Sequence, residues 1–178
     1  MNKENGFTLI ELMITILMVT VLLALGVPSF TEFTKNNRLA AQTNDLVIAM
    51  QLARNEAVKR GTGTVICASE DQSTCSGSND WSTGWIIFSD LDQEGDLEEG
   101  TGACLLTEDC ILRKRGPIEK NNTLTGSVNQ AQYLPNGLLR GSNMLTFTLV
   151  SRDCKTDQAR IVNVTRHGHT STTKSLCP

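Results

Sequence analysis

The chain has 178 residues, of which 39% are hydrophobic and 20% charged, and its net charge is −3. That length suffices for one domain with a real core plus an anchor. The mild negative charge excludes whole-surface attraction to nucleic acid and leaves only local patches to consider.

The first element is an apolar helix. Phe7 to Phe30 is a run of 24 residues without Lys, Arg or Asp, and its one charge is Glu11. As a helix it is about 36 Å long, enough to cross a bilayer. The head, MNKENG, is short, polar and net neutral. No A-x-A-like cleavage site follows the run, so it is not an ordinary secretory signal. A simple signal anchor accounts for the hydrophobicity but leaves Glu11 unexplained, because a carboxylate in a spanning segment is costly unless something neutralises it.

The stretch GFTLIELMITILMVTVLLALGVPSF, residues 6–30, resembles the class III signal of type IV pilins and type II secretion pseudopilins. The resemblance implies that a prepilin peptidase cuts between Gly6 and Phe7 and methylates the new N-terminal Phe7, making Glu11 the fifth residue of the mature chain. Cleavage then frees an α-ammonium on Phe7. In a filament, that ammonium and a neighbouring subunit's Glu11 can pair in an apolar setting where a lone charge is heavily penalised. Glu11 would act as a register device for assembly. The plainer alternative is a tolerated interfacial glutamate near the helix end.

The helix is expected to continue to about residue 60. Leu39, Thr43, Leu46, Met50, Ala53 and Ala57 recur at steps of four and three, a stripe that faces a core, with Asn44, Gln51, Asn55 and Lys59 between them. Lys59 and Arg60 suit a last turn and Gly61 ends it. Gly26 and Pro28 are expected to bend or loosen the helix between its halves. Four parts follow: a leader over 1–6, a transmembrane or filament-core helix over 7–30, its continuation over 31–60 and a β-rich head over 61–178.

Past Gly61 the period becomes β-like. TVICAS (64–69), GWIIFS (84–89), CILRKR (110–115), MLTFTLVS (144–151) and ARIVNVT (159–165) are rich in Val, Ile, Thr and Phe. Turn residues separate them, including PNG at 135–137 and HGH at 167–169, and a last short strand fits 169–175. The fold class is α+β and pilin-like, with one long N-terminal helix packed on an antiparallel sheet or two small sheets. The run DWSTGWIIFSDLDQEGD, residues 80–96, resembles the H-type pseudopilin and minor pilin group, the GspH/FimT/FimU-like proteins. Trp81 and Trp85 in it read as buried anchors between helix and sheet. Residues 97–143 read as a variable insertion.

All six cysteines lie beyond the apolar run, at Cys67, Cys75, Cys104, Cys110, Cys154 and Cys177. An even count after a membrane segment points to disulfides in an oxidising space. Zinc is the rival, but no C-x-x-C occurs. Fifteen pairings are open, and free thiols remain an alternative. Spacing favours local staples of Cys67 with Cys75 and Cys104 with Cys110. Cys154 with Cys177 would pin the C-terminus.

The acidic stretch DLDQEGDLEEG places Asp90, Asp92, Glu94 and Asp96 like the front of a calcium loop, with Gly95 at its sixth position. Thr101 stands where that loop needs a bidentate Glu, so a solvated acidic loop is the favoured reading and no cofactor or metal is expected. Residues 158–178 hold Arg160, Arg166 and Lys174, with His167 and His169 and no acid. This layout resembles FimT-like proteins that bind DNA in transformation through a C-terminal glycine-arginine-rich motif. Histidine stands where arginine would be expected, which removes charge at neutral pH. The histidine pair, spaced i and i+2, lacks an adjacent third metal ligand and reads as a turn-exposed pair.

No nucleophile elbow, HExxH, phosphate loop or dinucleotide fingerprint is present, so there are no catalytic residues to name and no enzymatic activity is expected. The resemblance implies a minor pilin or pseudopilin that joins the tip or initiation complex of a type IV pilus or type II secretion filament, with DNA binding as the alternative. Its partners would be other minor and major pilins or pseudopilins, the prepilin peptidase and the inner membrane. Before assembly it would be a single-pass protein with a periplasmic head.

Overall fold

The computed structural model describes residues 6–97, 109–119, 121–141 and 144–178. The chain forms two compact units, Met1–Arg38 and Leu39–Pro178, and helix α1 (Leu9–Arg60) contributes to both. Helical structure runs through Gly26 and Pro28 without interruption.

In the second unit, the expected stripe of α1 is the buried one. Leu39, Thr43, Leu46, Met50, Ala53 and Ala57 are all buried, joined by Ala49, while Asn44, Gln51, Asn55 and Lys59 are exposed. Small residues at Ala49, Ala53 and Ala57 let strands approach the helix closely, and Leu39, Leu46 and Met50 supply apolar bulk. The Gly61 N–H donates to the Ala57 carbonyl at 3.0 Å, with Gly61 at φ 68°, which closes the last turn. Glu56 accepts from Arg60 at 2.7 Å in that turn, and the hydrogen bond holds its carboxyl below the usual range.

Eight strands follow: β1 (Gly63–Ala68), β2 (Trp85–Asp90), β3 (Cys110–Arg115), β4 (Asn122–Gly126), β5 (Gln130–Tyr133), β6 (Leu145–Ser151), β7 (Ala159–Val164) and β8 (Thr170–Ser175). They make two four-stranded sheets, in the orders β3-β2-β1-β5 and β4-β6-β7-β8. Every pairing within them is antiparallel. The main core joins the α1 stripe to Ile66, Ala68, Trp85, Ile87 and Tyr133 of the first sheet and to Leu124, Phe147, Leu149, Val162 and Val164 of the second. Val65, Cys67, Ile86 and Phe88 form a smaller cluster from the alternate positions of β1 and β2. These two strands are therefore buried at every residue, which is why they read as continuous apolar runs rather than as alternating ones.

Two strands lie where a variable insertion was expected. NTLTG and QAQY are short and look polar, yet β4 buries Asn122, Leu124 and Gly126 alternately, and β5 buries Ala131, Gln132 and Tyr133. Their polar side chains have partners: Asn122 donates to Gln42 of α1 at 2.7 Å, and Gln132 donates to Asp90. Paired polar groups can be buried at little net cost, so composition alone hid these strands.

The 135–137 and 167–169 turns converge on one helix residue. Arg54 donates to the Gly137 carbonyl at 3.0 Å, and a Cβ at Gly168 (φ 73°) would meet the Arg54 side chain at 2.5 Å. Glycine suits position 168 by its dihedral, and a larger residue would also have to displace the Arg54 side chain.

Cys67 bonds to Cys75 and Cys154 to Cys177, as spacing favoured. Cys110 is also disulfide-bonded, and Cys104 lies outside the described residues. Inside the loop closed by Cys67 and Cys75, the Asp71 carboxylate accepts from the Ser73 and Thr74 N–H groups, each at 2.8 Å, and from the Thr74 and Ser69 hydroxyls. The Thr74 N–H is the strongest influence, followed by that of Ser73, and together they pull the carboxyl from its ordinary 3.8 to about 2. A depressed carboxyl stabilises the fold above its unfolded value and loses that contribution as pH falls through the folded one. NMR titration should therefore show Asp71 ionised down to about pH 2, with the Ser73 and Thr74 amide resonances moving with it. A midpoint near 3.8 would mean that these bonds do not persist in solution.

Candidate functional site

In the first unit, Thr8 caps α1. Its hydroxyl accepts the Glu11 N–H at 3.3 Å, and its carbonyl accepts the Leu12 N–H at 3.2 Å. Glu11 is thus the third residue of the helix, the capping-box position behind a threonine N-cap and close to the positive end of the helix dipole. The T-x-x-E spacing of Thr8 and Glu11 is a sequence signal for this capping, overlooked beside the question of charge. The helix then exposes apolar side chains on every side, from Leu9, Ile10, Leu12 and Met13 through Leu25, Phe30 and Phe33. A helix apolar all round belongs in lipid or among other helices. By length and composition it can cross a membrane, with a mean hydropathy of 2.5 over its most apolar window.

The C-terminal basic group is only partly a surface. Arg166, His167 and His169 are exposed on the turn between β7 and β8, and Lys174 is exposed on β8. Arg160 is a correction to the expected patch: it is buried on β7, opposite Lys174, and its guanidinium donates to the Asp157 and Ala159 carbonyls at 3.0 and 3.1 Å. A guanidinium folded back on its own strand satisfies backbone acceptors and is withdrawn from phosphate contact. His167 and His169 gain no third metal ligand among the described residues.

The acidic stretch is also rearranged. Asp90 is not in a solvated loop; it is the last residue of β2 and fully buried. One carboxylate oxygen each from Asp90, Asp92 and Asp109 lies within 4.8 Å of the others, whereas Glu94 and Asp96 are exposed and outside this group. Thr101 lies outside the described residues. Burial, then the neighbouring Asp92 carboxyl and the charge of Asp109, push the Asp90 carboxyl up to about 6, against the Gly95 amide, which pulls it down. Asp109 sits at the entry to β3, so spacing along the chain gave no sign that it joins Asp90.

A family model described as type II transport protein GspH matches residues 42–168, and one described as the prokaryotic N-terminal methylation motif matches residues 1–27. A fimbrial protein of Pseudomonas aeruginosa is 31% identical over 68 residues, 38% of this chain; the match spans 44% of that relative's length. The type IV minor pilin FimU of P. aeruginosa is similar in structure, with a TM-score of 0.58 and 25% identity, covering 82% of this chain and 92% of its own. The minor pseudopilin EpsH from the type 2 secretion system of Vibrio cholerae shares the fold at a TM-score of 0.50 and 9% identity, covering 77% of this chain and 97% of its own.

Proposed function

Since the chain belongs to the GspH family, we propose that it is a minor pilin, a structural subunit of a type IV pilus that acts by assembly rather than by catalysis. One observation carries the reading: a methylation-type N-terminus heads a helix that is apolar on all sides, in a chain whose remainder is a GspH-type head. Such a helix reaches its stable environment first in lipid and then among the helices of other subunits, and the head is left to select neighbours. FimU and the fimbrial proteins favour a pilus over a secretion filament, because the identity to EpsH is too low to speak for more than fold.

In this proposal the chain waits in the inner membrane with its head in the periplasm. The prepilin peptidase cuts it between Gly6 and Phe7, and it then joins other minor and major pilins. Deletion of the gene, with piliation, secretion and DNA uptake measured side by side, tests the assignment. Loss of piliation with normal secretion is expected, together with a purified protein that begins at N-methylated Phe7. Normal piliation with lost secretion would move it to the secretion filament. Lost DNA uptake with intact pili would favour a DNA receptor, for which Arg166 and Lys174 are the exposed cations that remain.

A further inference from the structure

We propose that Asp90, Asp92 and Asp109 form a binding site for a divalent cation, calcium, that ties the 91–97 segment to the entry of β3. The two buried members each commit one oxygen to the protein and leave the other without a partner. Asp90 accepts from the Gln132 amide, and its Oδ1 is buried with no hydrogen-bond partner. Asp109 Oδ1 accepts the Leu91 N–H at 2.9 Å, and its Oδ2 is likewise buried and unpartnered. A buried carboxylate oxygen without a donor is expensive, and here two of them accompany a third acid. Among the described residues no Lys or Arg pairs with any of the three. Arg140, the nearby cation, donates instead to the Gln132 side-chain oxygen at 2.8 Å and to the Gln93 carbonyl.

The surroundings hold these ligands in place. Gln132 donates to Asp90 and to the Gln93 carbonyl, and Gln130 donates to the Gly95 carbonyl at 3.2 Å. Strand β5 thus fixes both the Asp90 carboxylate and the turn beyond it, as outer groups do around a metal. Asp92 is exposed and gives an ion its way in.

All-carboxylate donors select a hard cation. Calcium takes six to eight oxygens in flexible geometry at about 2.3–2.6 Å, whereas magnesium demands a near-ideal octahedron and is usually held by one or two carboxylates with several waters. Three protein carboxylates whose oxygens lie within 4.8 Å of one another therefore suit calcium. Three carboxylates with open positions for water match the weak sites of extracellular modules, with dissociation constants of about 0.1–1 mM.

The test uses the full-length protein in detergent micelles, stripped with chelator, then titrated with calcium by calorimetry and melted with and without 1 mM calcium or magnesium. One calcium per chain is expected, with a rise in melting temperature of about 1–6 °C that magnesium does not reproduce. Asp109→Asn and Asp92→Asn should weaken calcium binding about tenfold or more, while Glu94→Gln and Asp96→Asn leave it unchanged. Circular dichroism of each variant without metal confirms that it is folded. No calcium heat and no shift in the wild-type protein would overturn the proposal whatever the variants do. Retention of the shift in folded Asp109→Asn, or its loss in Asp96→Asn, would overturn this choice of ligands. An equal response to magnesium would overturn calcium as the ion.

Discussion

Glu11→Gln is expected to insert into the membrane at the wild-type level and to enter filaments about a hundredfold less efficiently or worse. The substitution keeps the shape and the hydrogen-bonding reach of the side chain and removes only its charge. That matters because Glu11 has two roles on offer. Behind the Thr8 cap it stands third in α1, where a carboxylate stabilises a helix N-terminus by about 0.3–1 kcal/mol. Paired with the Phe7 ammonium of an adjacent subunit, it would neutralise a charge buried among apolar helices. Removing one member of a buried pair costs about 3–5 kcal/mol, because the other charge is left uncompensated.

The magnitudes separate the two. A capping role tolerates glutamine, which also serves at this position of a capping box. A pairing role does not tolerate it. Glu11→Ala should match Glu11→Gln if pairing dominates and should be clearly worse if capping does. Quantifying membrane-inserted and sheared filament fractions by immunoblot reads both. Incorporation of Glu11→Gln at the wild-type level would remove the pairing account and leave Glu11 as a cap.

The sequence carried those parts of the fold that rest on local periodicity. The α1 stripe from Leu39 to Ala57 is buried position by position because alternating steps of four and three leave one helix face for the core, and no distant residue has to be known to see it. The strands β1, β2, β6 and β7 were legible for a similar reason, as β-branched and aromatic runs between turn residues. The long-range parts were not. Asn122 and Gln132 look like loop residues until Gln42 and Asp90 are brought beside them. Asp109 joins Asp90 through the β2–β3 pairing, in which Ser89 lies opposite Cys110. Arg160 looked like a surface cation because a count of charges does not show where a guanidinium folds. The N-terminal methylation motif was legible because it is linear, whereas the grouping of Asp109 with Asp90 was illegible because strand pairing assembles it.

Trp81→Ala is expected to destabilise the head by about 3–5 kcal/mol, the usual cost of emptying a large aromatic site in a core. Trp81 precedes β2 yet binds the second sheet. Its backbone N–H donates to the Leu124 carbonyl at 2.8 Å, its indole N–H donates to the Val128 carbonyl at 2.9 Å, and its ring meets Phe147 edge-on at 5.0 Å. The fit leaves no slack, since a Cβ added at Gly126 would lie 2.6 Å from the indole nitrogen. Truncation therefore opens a cavity in the core, removes the donor to the half-buried Val128 carbonyl and loses an aromatic pair worth about 0.5–1.5 kcal/mol beyond its area. A domain holds only about 5–15 kcal/mol in total, so the variant stands near the threshold for folding. Urea denaturation of the full-length protein, followed through the emission of Trp85, measures the loss. Trp81→Phe should recover more than half of it, because the ring contact returns while the indole hydrogen bond does not. A loss below about 1 kcal/mol for Trp81→Ala would mean that the two sheets are held together by the α1 stripe alone.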